Sequence, residues 1–505
     1  MTLGYKFTIF LIFTIVYLAK TQHKENTPPY DFKSNAHWTI VKNVTPSTPI
    51  QIISAPIIST FPSNSCSLHS HVFRFSNVGL KKIGRDFINS NDVISLILDN
   101  NDIDDISSFA FRKMQNLRYL DLSGNNIPKE KLLLLPRSAN LQTLIIDNNR
   151  DSHNPITATL KEYEVFQNLK HLHLSNGQLG NFQIPFYLAT PILTHLHLNN
   201  NSIYSSNAVF ENIPATLTHL HLNKNVINQV KQNKLRHLQE LNMDDNVITQ
   251  VCLEECQDKS ISLKGAAEMQ YLSLAKNLIS EISSDAFSDT SRLLKLDLSG
   301  NEIADIAKGT FNETMMISNL SLADNVLVVV PDVCSIFYLK NLDLSGNRIS
   351  AVFSGSFCVN LRTLEYLHLS NNVITTIETR AFRNLQSLKY LDLSGNRLKQ
   401  LPVHWIYPWI QELHLERNNF TDLNSISLIN IKELKNIYLD ENPMPLLTAR
   451  SFHLLPGHLR IHLRNMRIED KCAQCTCEND DNDDEKNADE DYDNKNDDND
   501  SDTFE

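Results

Sequence analysis

Six histidines stand on a 24-residue beat, in the phrases KHLHLSNG (170–177), THLHLNNN (194–201) and THLHLNKN (218–225). One leucine separates each pair, so His171, His195 and His219 form one row and His173, His197 and His221 another. In an extended strand, residues two apart share a face. Laid side by side, the phrases would present a two-by-three grid, with neighbours roughly 5 Å apart across strands and roughly 7 Å along them. Three imidazoles could converge on zinc, which takes ring nitrogen at about 2.0–2.1 Å. Six could instead form a pH-responsive patch, because clustered imidazoles cannot all charge cheaply and would titrate broadly near pH 6. The plainer reading is a polar contact surface. The grid itself holds no carboxylate to orient a ligand, and duplication of a repeat copies whatever stood there. Contact surface is the reading adopted, with no metal and no cofactor assigned.

A second set occupies the same two positions in later phrases: Tyr366 and His368, Tyr390 and Asp392, Glu412 and His414, then Asn436 and Tyr438. Tyrosines beside charges on a rigid support have the composition of protein-binding hot spots, although tyrosine also favours strands on its own account. Asp297 and Asp343 belong to D-L-S-G-N phrases and read as scaffold. H-E-x-x-H, G-x-S-x-G and a phosphate loop are all missing, so no catalytic residue is assigned and the chain is read as a non-enzyme. No basic stripe recurs, which argues against nucleic acid as a partner.

The elements that must position these residues follow one template, L-x-x-L-x-L-x-x-N-x-L, as in LRYLDLSGNNI from Leu117, LLKLDLSGNEI from Leu293 and LKYLDLSGNRL from Leu388. Fifteen turns fit it, fourteen with asparagine at the ninth position, from Asn101 to Asn442, and one with Gly177 there. Weaker turns flank them, HVFRFSNVGL near 71–80 and HLRIHLRNMRI near 458–468. Such a turn cannot bury its leucines alone, so turns must stack and share a core. The asparagine suits a tight bend whose backbone groups its amide can bond. Phe111, Phe210, Phe287, Phe311, Phe357, Phe382 and Phe452 fall near the return legs, where an apolar plug would close the core.

From about residue 70 to 468 the sequence resembles the leucine-rich repeat proteins. The resemblance implies an α/β, β-rich solenoid, a curved horseshoe of about 15–16 turns with a parallel sheet on its concave face. At roughly 4.8 Å per strand the inner arc is on the order of 75 Å, a surface scaled for a macromolecule.

The remaining segments bear on compartment. Residues 1–19 read as a signal peptide, with an apolar run from Phe7 to Ala19 that is too short to span a bilayer comfortably. A Pro/Ser/Thr-rich linker follows over 20–65, then the array over 66–470, a cysteine cluster over 471–477 and an acidic tail over 478–505. The tail holds fifteen acids against two lysines, net −13, so the rest of a chain of net −12 carries about +1. It reads as a disordered arm. The expected location is secreted and extracellular, without stable membrane insertion. Six sequons agree with it: Asn43, Asn200, Asn312, Asn319, Asn419 and Asn499. So do eight cysteines, an even count in an oxidising compartment. Cys334 and Cys358 hold similar positions in adjacent turns and are the favoured pair. Cys252 and Cys256 would staple the longest turn, and Cys472, Cys475 and Cys477 close the array, leaving Cys66 before it. One cysteine could therefore link to a partner chain.

The leader, the array and the terminal DKCAQCTC together resemble, less specifically, the insect leucine-rich immune proteins. Those proteins commonly continue into a coiled coil and pair covalently to hold complement-like partners. Here Cys477 runs directly into the acidic tail without heptads, so the resemblance is to a coil-less member. It implies a protein-binding scaffold in innate immune recognition or complex assembly. The alternative is an extracellular matrix or cell-surface adhesion protein that binds a ligand or receptor.

Overall fold

The computed structural model describes residues 71–463, except 129–139, 150–165, 181–184, 255, 257, 407–408, 429–430 and 445–458. Contacts divide the chain into units of 1–68 and 69–505, and every described residue lies in the second. The leader, the linker, Cys66, Asn43, Phe452, the cysteines Cys472, Cys475 and Cys477, Asn499 and the acidic tail lie outside the described residues.

Each L-x-L phrase forms a three-residue strand, from Val72–Arg74 to Arg460–His462, and 17 such strands pair side by side in one parallel sheet. Parallel neighbours need a crossover of about a dozen residues or more, which the remainder of each turn supplies. The fold is a parallel-sheet solenoid. Both weak flanking phrases contribute a strand, Val72–Arg74 and Arg460–His462, which is why the sheet exceeds the 15–16 turns expected.

Register is strict because a slip of one residue would expose every leucine. Leu172 lies opposite Leu196, which lies opposite Leu220, and Leu391 opposite Leu413. These central residues are 0–1% exposed. Behind them runs an aromatic layer: the rings of Phe287 and Phe311 stack at 5.5 Å between centroids and those of Phe357 and Phe382 at 5.6 Å, with Trp405 edge-on to Phe382 at 5.8 Å. Phe111 and Phe210 are buried as expected, and Phe186, Phe420 and Trp405 join the same core. The 31-residue turn folds its extra length into strands Gln250–Cys252 and Ser260–Ser262, which form a small sheet with Glu281–Ile282 of the next turn. Disulfides join Cys252 to Cys256 and Cys334 to Cys358, the latter across neighbouring turns with Cα atoms 5.8 Å apart.

The asparagines hold turns together as well as closing bends. Asn301 donates from Nδ2 to the carbonyl of Leu298 at 2.9 Å and to that of Leu274, one turn earlier, at 3.0 Å. Its Oδ1 accepts from the Ile279 N–H, also one turn earlier, at 3.1 Å. Asn125, Asn225, Asn372 and Asn396 repeat the pattern. At the departing turn, Gly177 instead donates its N–H to Asn201 Oδ1 at 2.8 Å.

The residue before each of these positions is left-handed, from Asn100 at φ 54° to Glu441 at φ 58°. Glycine occupies four of the sites, among them Gly346, where a Cβ would collide with Asp324 Oδ1.

Two substitutions test this architecture by denaturant unfolding. Asn301→Ala orphans three buried backbone groups, each costing about 1–3 kcal/mol, and is expected to lower stability by at least about 2 kcal/mol. Leu391→Asp places an unpaired charge in the shared core and is expected to abolish the cooperative transition of the surrounding turns. An unchanged midpoint for Leu391→Asp would contradict the register.

Candidate partner-binding face

Residues flanking each buried leucine point away from the core, so the sheet presents two columns of side chains on its open face. In the C-terminal half, Tyr366, Tyr390, Glu412 and Asn436 align in one column, and His368, Asp392, His414, Tyr438 and His462 in the other. Their rings form a nearly continuous run. Tyr390 lies 6.1 Å from Tyr366, 5.0 Å from His368 and 5.1 Å from His414. His414 then stacks on Tyr438 at 4.2 Å, and Tyr438 on His462 at 4.1 Å. Tyr366 is 38% exposed.

Carboxylates set the charge of this patch. His414 Nδ1 lies 2.9 Å from Glu416 Oε1, and its Nε2 lies 3.2 Å from Glu412 Oε1. A neutral imidazole carries one N–H and cannot donate to both, so the imidazolium is favoured. Burial works against that charge, yet the bonds and charges of Glu416 and Glu412 prevail and raise the His414 pKa. Burial, then Asp392 and Glu412, keeps the Tyr390 hydroxyl un-ionised. Asp392 also accepts the Ser394 N–H at 2.9 Å, the same turn-holding bond that Asp297 and Asp343 make to Ser299 and Ser345.

The histidine grid is also assembled on this face, and its chemistry differs from the sequence expectation. His171, His195 and His219 stack with centroids 4.3 and 4.1 Å apart; His173, His197 and His221 stack at 4.0 and 4.4 Å. The His173–His197 and His195–His219 pairs are face to face, at 13° and 12° between planes, while His171–His195 and His197–His221 are tilted by 30° and 42°. Among the described residues no three His, Cys, Asp or Glu side chains are grouped to hold a metal.

The grid's own six positions hold no carboxylate, but two carboxylates bracket it. Glu240 Oε1 lies 3.1 Å from His221 Nε2, and Asp147 Oδ2 lies 3.9 Å from His173 Nδ1. The pH-responsive alternative put titration near pH 6, and burial moves five of the six rings downward from it. Burial first, and the neighbouring imidazoles second, depress His173 to about 4, His195 to about 3 and His197 to about 2, and lower His171 as well. Burial likewise lowers His219, against the pull of Glu240.

Sequence reasoning passed over Glu416, Glu240 and His462. Glu416 was visible in the alternation of ELHLE (412–416), which puts three polar side chains on one face. Of the sequons, Asn200, Asn312 and Asn419 are exposed, and Asn319 is half-buried on the sheet face between Lys295 and Asn341.

One strand per turn, a shared leucine core and an asparagine ladder are the features of a leucine-rich repeat fold. A leucine rich repeat family model matches residues 92–150, 267–327 and 337–398. The chain is similar to a probable glycoprotein hormone G-protein coupled receptor of Anthopleura elegantissima, 37% identical over 94 residues, or 18% of this chain and 10% of that protein. It is also similar to nephrocan of Mus musculus, 27% identical over 139 residues, or 28% of this chain and 26% of that protein. The chain thus spans about a tenth and about a quarter of these two relatives. Among solved structures it superposes on a chain of the Drosophila Toll–Spatzle complex with a TM-score of 0.61 at 19% identity, covering 79% of this chain and 54% of that one. At that identity the likeness is one of fold.

The depressed histidines make a pH prediction. A folded-state pKa below the ordinary value of 6.5 means that the fold favours neutral imidazole. That contribution is present above pH 6.5 and is lost as pH falls toward the folded values. The thermal midpoint should therefore drop between pH 6.5 and 4.5, and less steeply in a His173→Gln, His195→Gln, His197→Gln variant. Asp147, pushed up to about 6 by burial, acts in the opposite sense and is common to both forms. Equal slopes in the two proteins would contradict the assignment.

Proposed function

We propose that this chain is a secreted, non-enzymatic scaffold that binds a protein partner on the open face of its sheet, in innate immune recognition or complex assembly. The observation that carries the reading is the aromatic run from Tyr366 to His462, held on consecutive strands and edged by Glu412 and Glu416. Aromatic side chains with few rotatable bonds, fixed beside charges, are what protein interfaces use as anchors. Here the support is a rigid sheet, so little side-chain entropy remains to be lost on binding. The Drosophila complex that shares the fold is described as a hub in development and innate immunity, and that is the setting proposed. The terminal cysteines Cys472, Cys475 and Cys477 are the proposed link to a covalent partner.

The test uses the full-length protein secreted from insect cells as bait for extracellular fluid, followed by direct binding of the captured partner. Tyr390→Ala with His414→Ala is expected to weaken that binding tenfold or more, while the thermal midpoint stays within a few degrees. Unchanged affinity would remove the C-terminal patch from the interface.

A further inference from the structure

We infer that Asn312 carries an N-linked glycan whose first N-acetylglucosamine sits in a recess on the return side of the solenoid. The inference rests on the secretory reading above and goes beyond it, because the recess lies off the proposed binding face. Three successive return legs build the recess, which has a volume of about 490 Å³; its lining includes Gly309, Asn312, Asp332, Ser335, Phe337 and Asn360. The Cys334–Cys358 disulfide ties two of the legs together.

The groups named suit a sugar, and Lys308 also lines the recess. Asn312 opens the sequence Asn312-Glu313-Thr314 and is exposed at the rim. Ser335 donates its hydroxyl to Asn312 Oδ1 at 2.6 Å, which fixes the carboxamide and the direction of its nitrogen. Gly309, at φ 87°, leaves room beside that nitrogen: a Cβ there would stand 3.1 Å from Asn312 Nδ2. Phe337 is a large apolar ring left 42% exposed on the recess wall. An aromatic ring that is wet on one face suits the apolar face of a pyranose, and Asp332 and Asn360 supply acceptor and donor groups for its hydroxyls and acetamide.

Two of the other described sequons are placed differently. Asn200 donates its Nδ2 to Asn176 Oδ1 at 2.7 Å, along the ladder edge. Asn319 lies within the sheet, its Oδ1 accepting from the Ser318 hydroxyl at 2.7 Å.

The transfer forms a bond between Asn312 Nδ2 and the anomeric carbon of N-acetylglucosamine. It breaks the bond from that carbon to the diphosphate of a polyprenyl-linked oligosaccharide, which leaves as the polyprenyl diphosphate, and one Nδ2 proton passes to a base of the transferase. Thr314 is fully buried in the fold and its hydroxyl donates to the Phe311 carbonyl at 3.1 Å. Transfer therefore precedes the packing of this turn.

The test takes full-length protein from the medium of mammalian cells, with deglycosylation in heavy-oxygen water and peptide mass spectrometry. Asn312 is expected to return as labelled aspartate. An unlabelled Asn312 beside a labelled Asn200 or Asn419 would overturn this inference alone. Six unlabelled sequons, or no protein in the medium, would overturn the secretory reading with it.

The seat is read separately from thermal midpoints. Phe337→Ala should lower the midpoint by several degrees in the glycosylated protein and by less than half as much in Asn312→Gln. Trimming the native glycan to its first sugar should leave the wild-type midpoint unchanged, and this holds as a readout even if Asn312→Gln fails to be secreted. Equal effects of Phe337→Ala in both backgrounds, or a midpoint lost on trimming, would overturn the seat.

Discussion

The rest of the structure depends on one shared carboxamide. Each turn leaves its strand through a left-handed residue and then buries an asparagine whose donors and acceptor reach the previous turn as well as its own. Fourteen asparagines and one glycine hold this position. A buried backbone group left unpaired costs about 1–3 kcal/mol, so two neighbouring turns that slipped or splayed would lose several bonds at once. Hydrophobic burial alone would tolerate some sliding, because leucines are interchangeable. The carboxamide bonds reject it, since they require a fixed distance between named atoms. What they produce is a rigid ruler with side chains placed along it at strand spacing.

On that ruler the same residue type takes opposite chemistry at its two ends. In the grid, imidazoles pack against imidazoles, and burial plus mutual repulsion favours neutral His195 and His197. Near the other end, His414 lies between Glu412 and Glu416 and favours its charged form. Both occupy flanking positions of an L-x-L strand, so position on the scaffold does not set the charge; the neighbouring turns do. A surface assembled in this way can vary its chemistry turn by turn while the core stays the same, which suits a protein selected for what it binds.

The fold was legible in the sequence because its period, its leucines and its asparagines recur in the same order through most of the chain. The left-handed residue was not. Asparagine, glycine or aspartate, which tolerate that conformation, fill most of the column, but lysine at 224 and 276, arginine at 417 and glutamate at 441 interrupt it. The use of the extra residues in the 31-residue turn was also hidden, since three short strands around Cys252 look like any polar insertion. At the site, which residues share the face followed from alternation. Which of them touch did not: Glu240 reaches His221 from a turn that departs from the histidine phrase, and only the stacking of turns brings them together.

The proposed function puts partner contact on the open face of the sheet. Hydroxyl-radical footprinting of the complex against the free protein tests it most directly, because tyrosines report both sides of the molecule. Tyr366, Tyr390 and Tyr438 should lose reactivity in the complex, while Tyr204 and Tyr338, which are 62% and 57% exposed and lie off the strands, keep theirs. Protection of Tyr338 with Tyr366 and Tyr390 unchanged would place the partner on the return side and contradict the account.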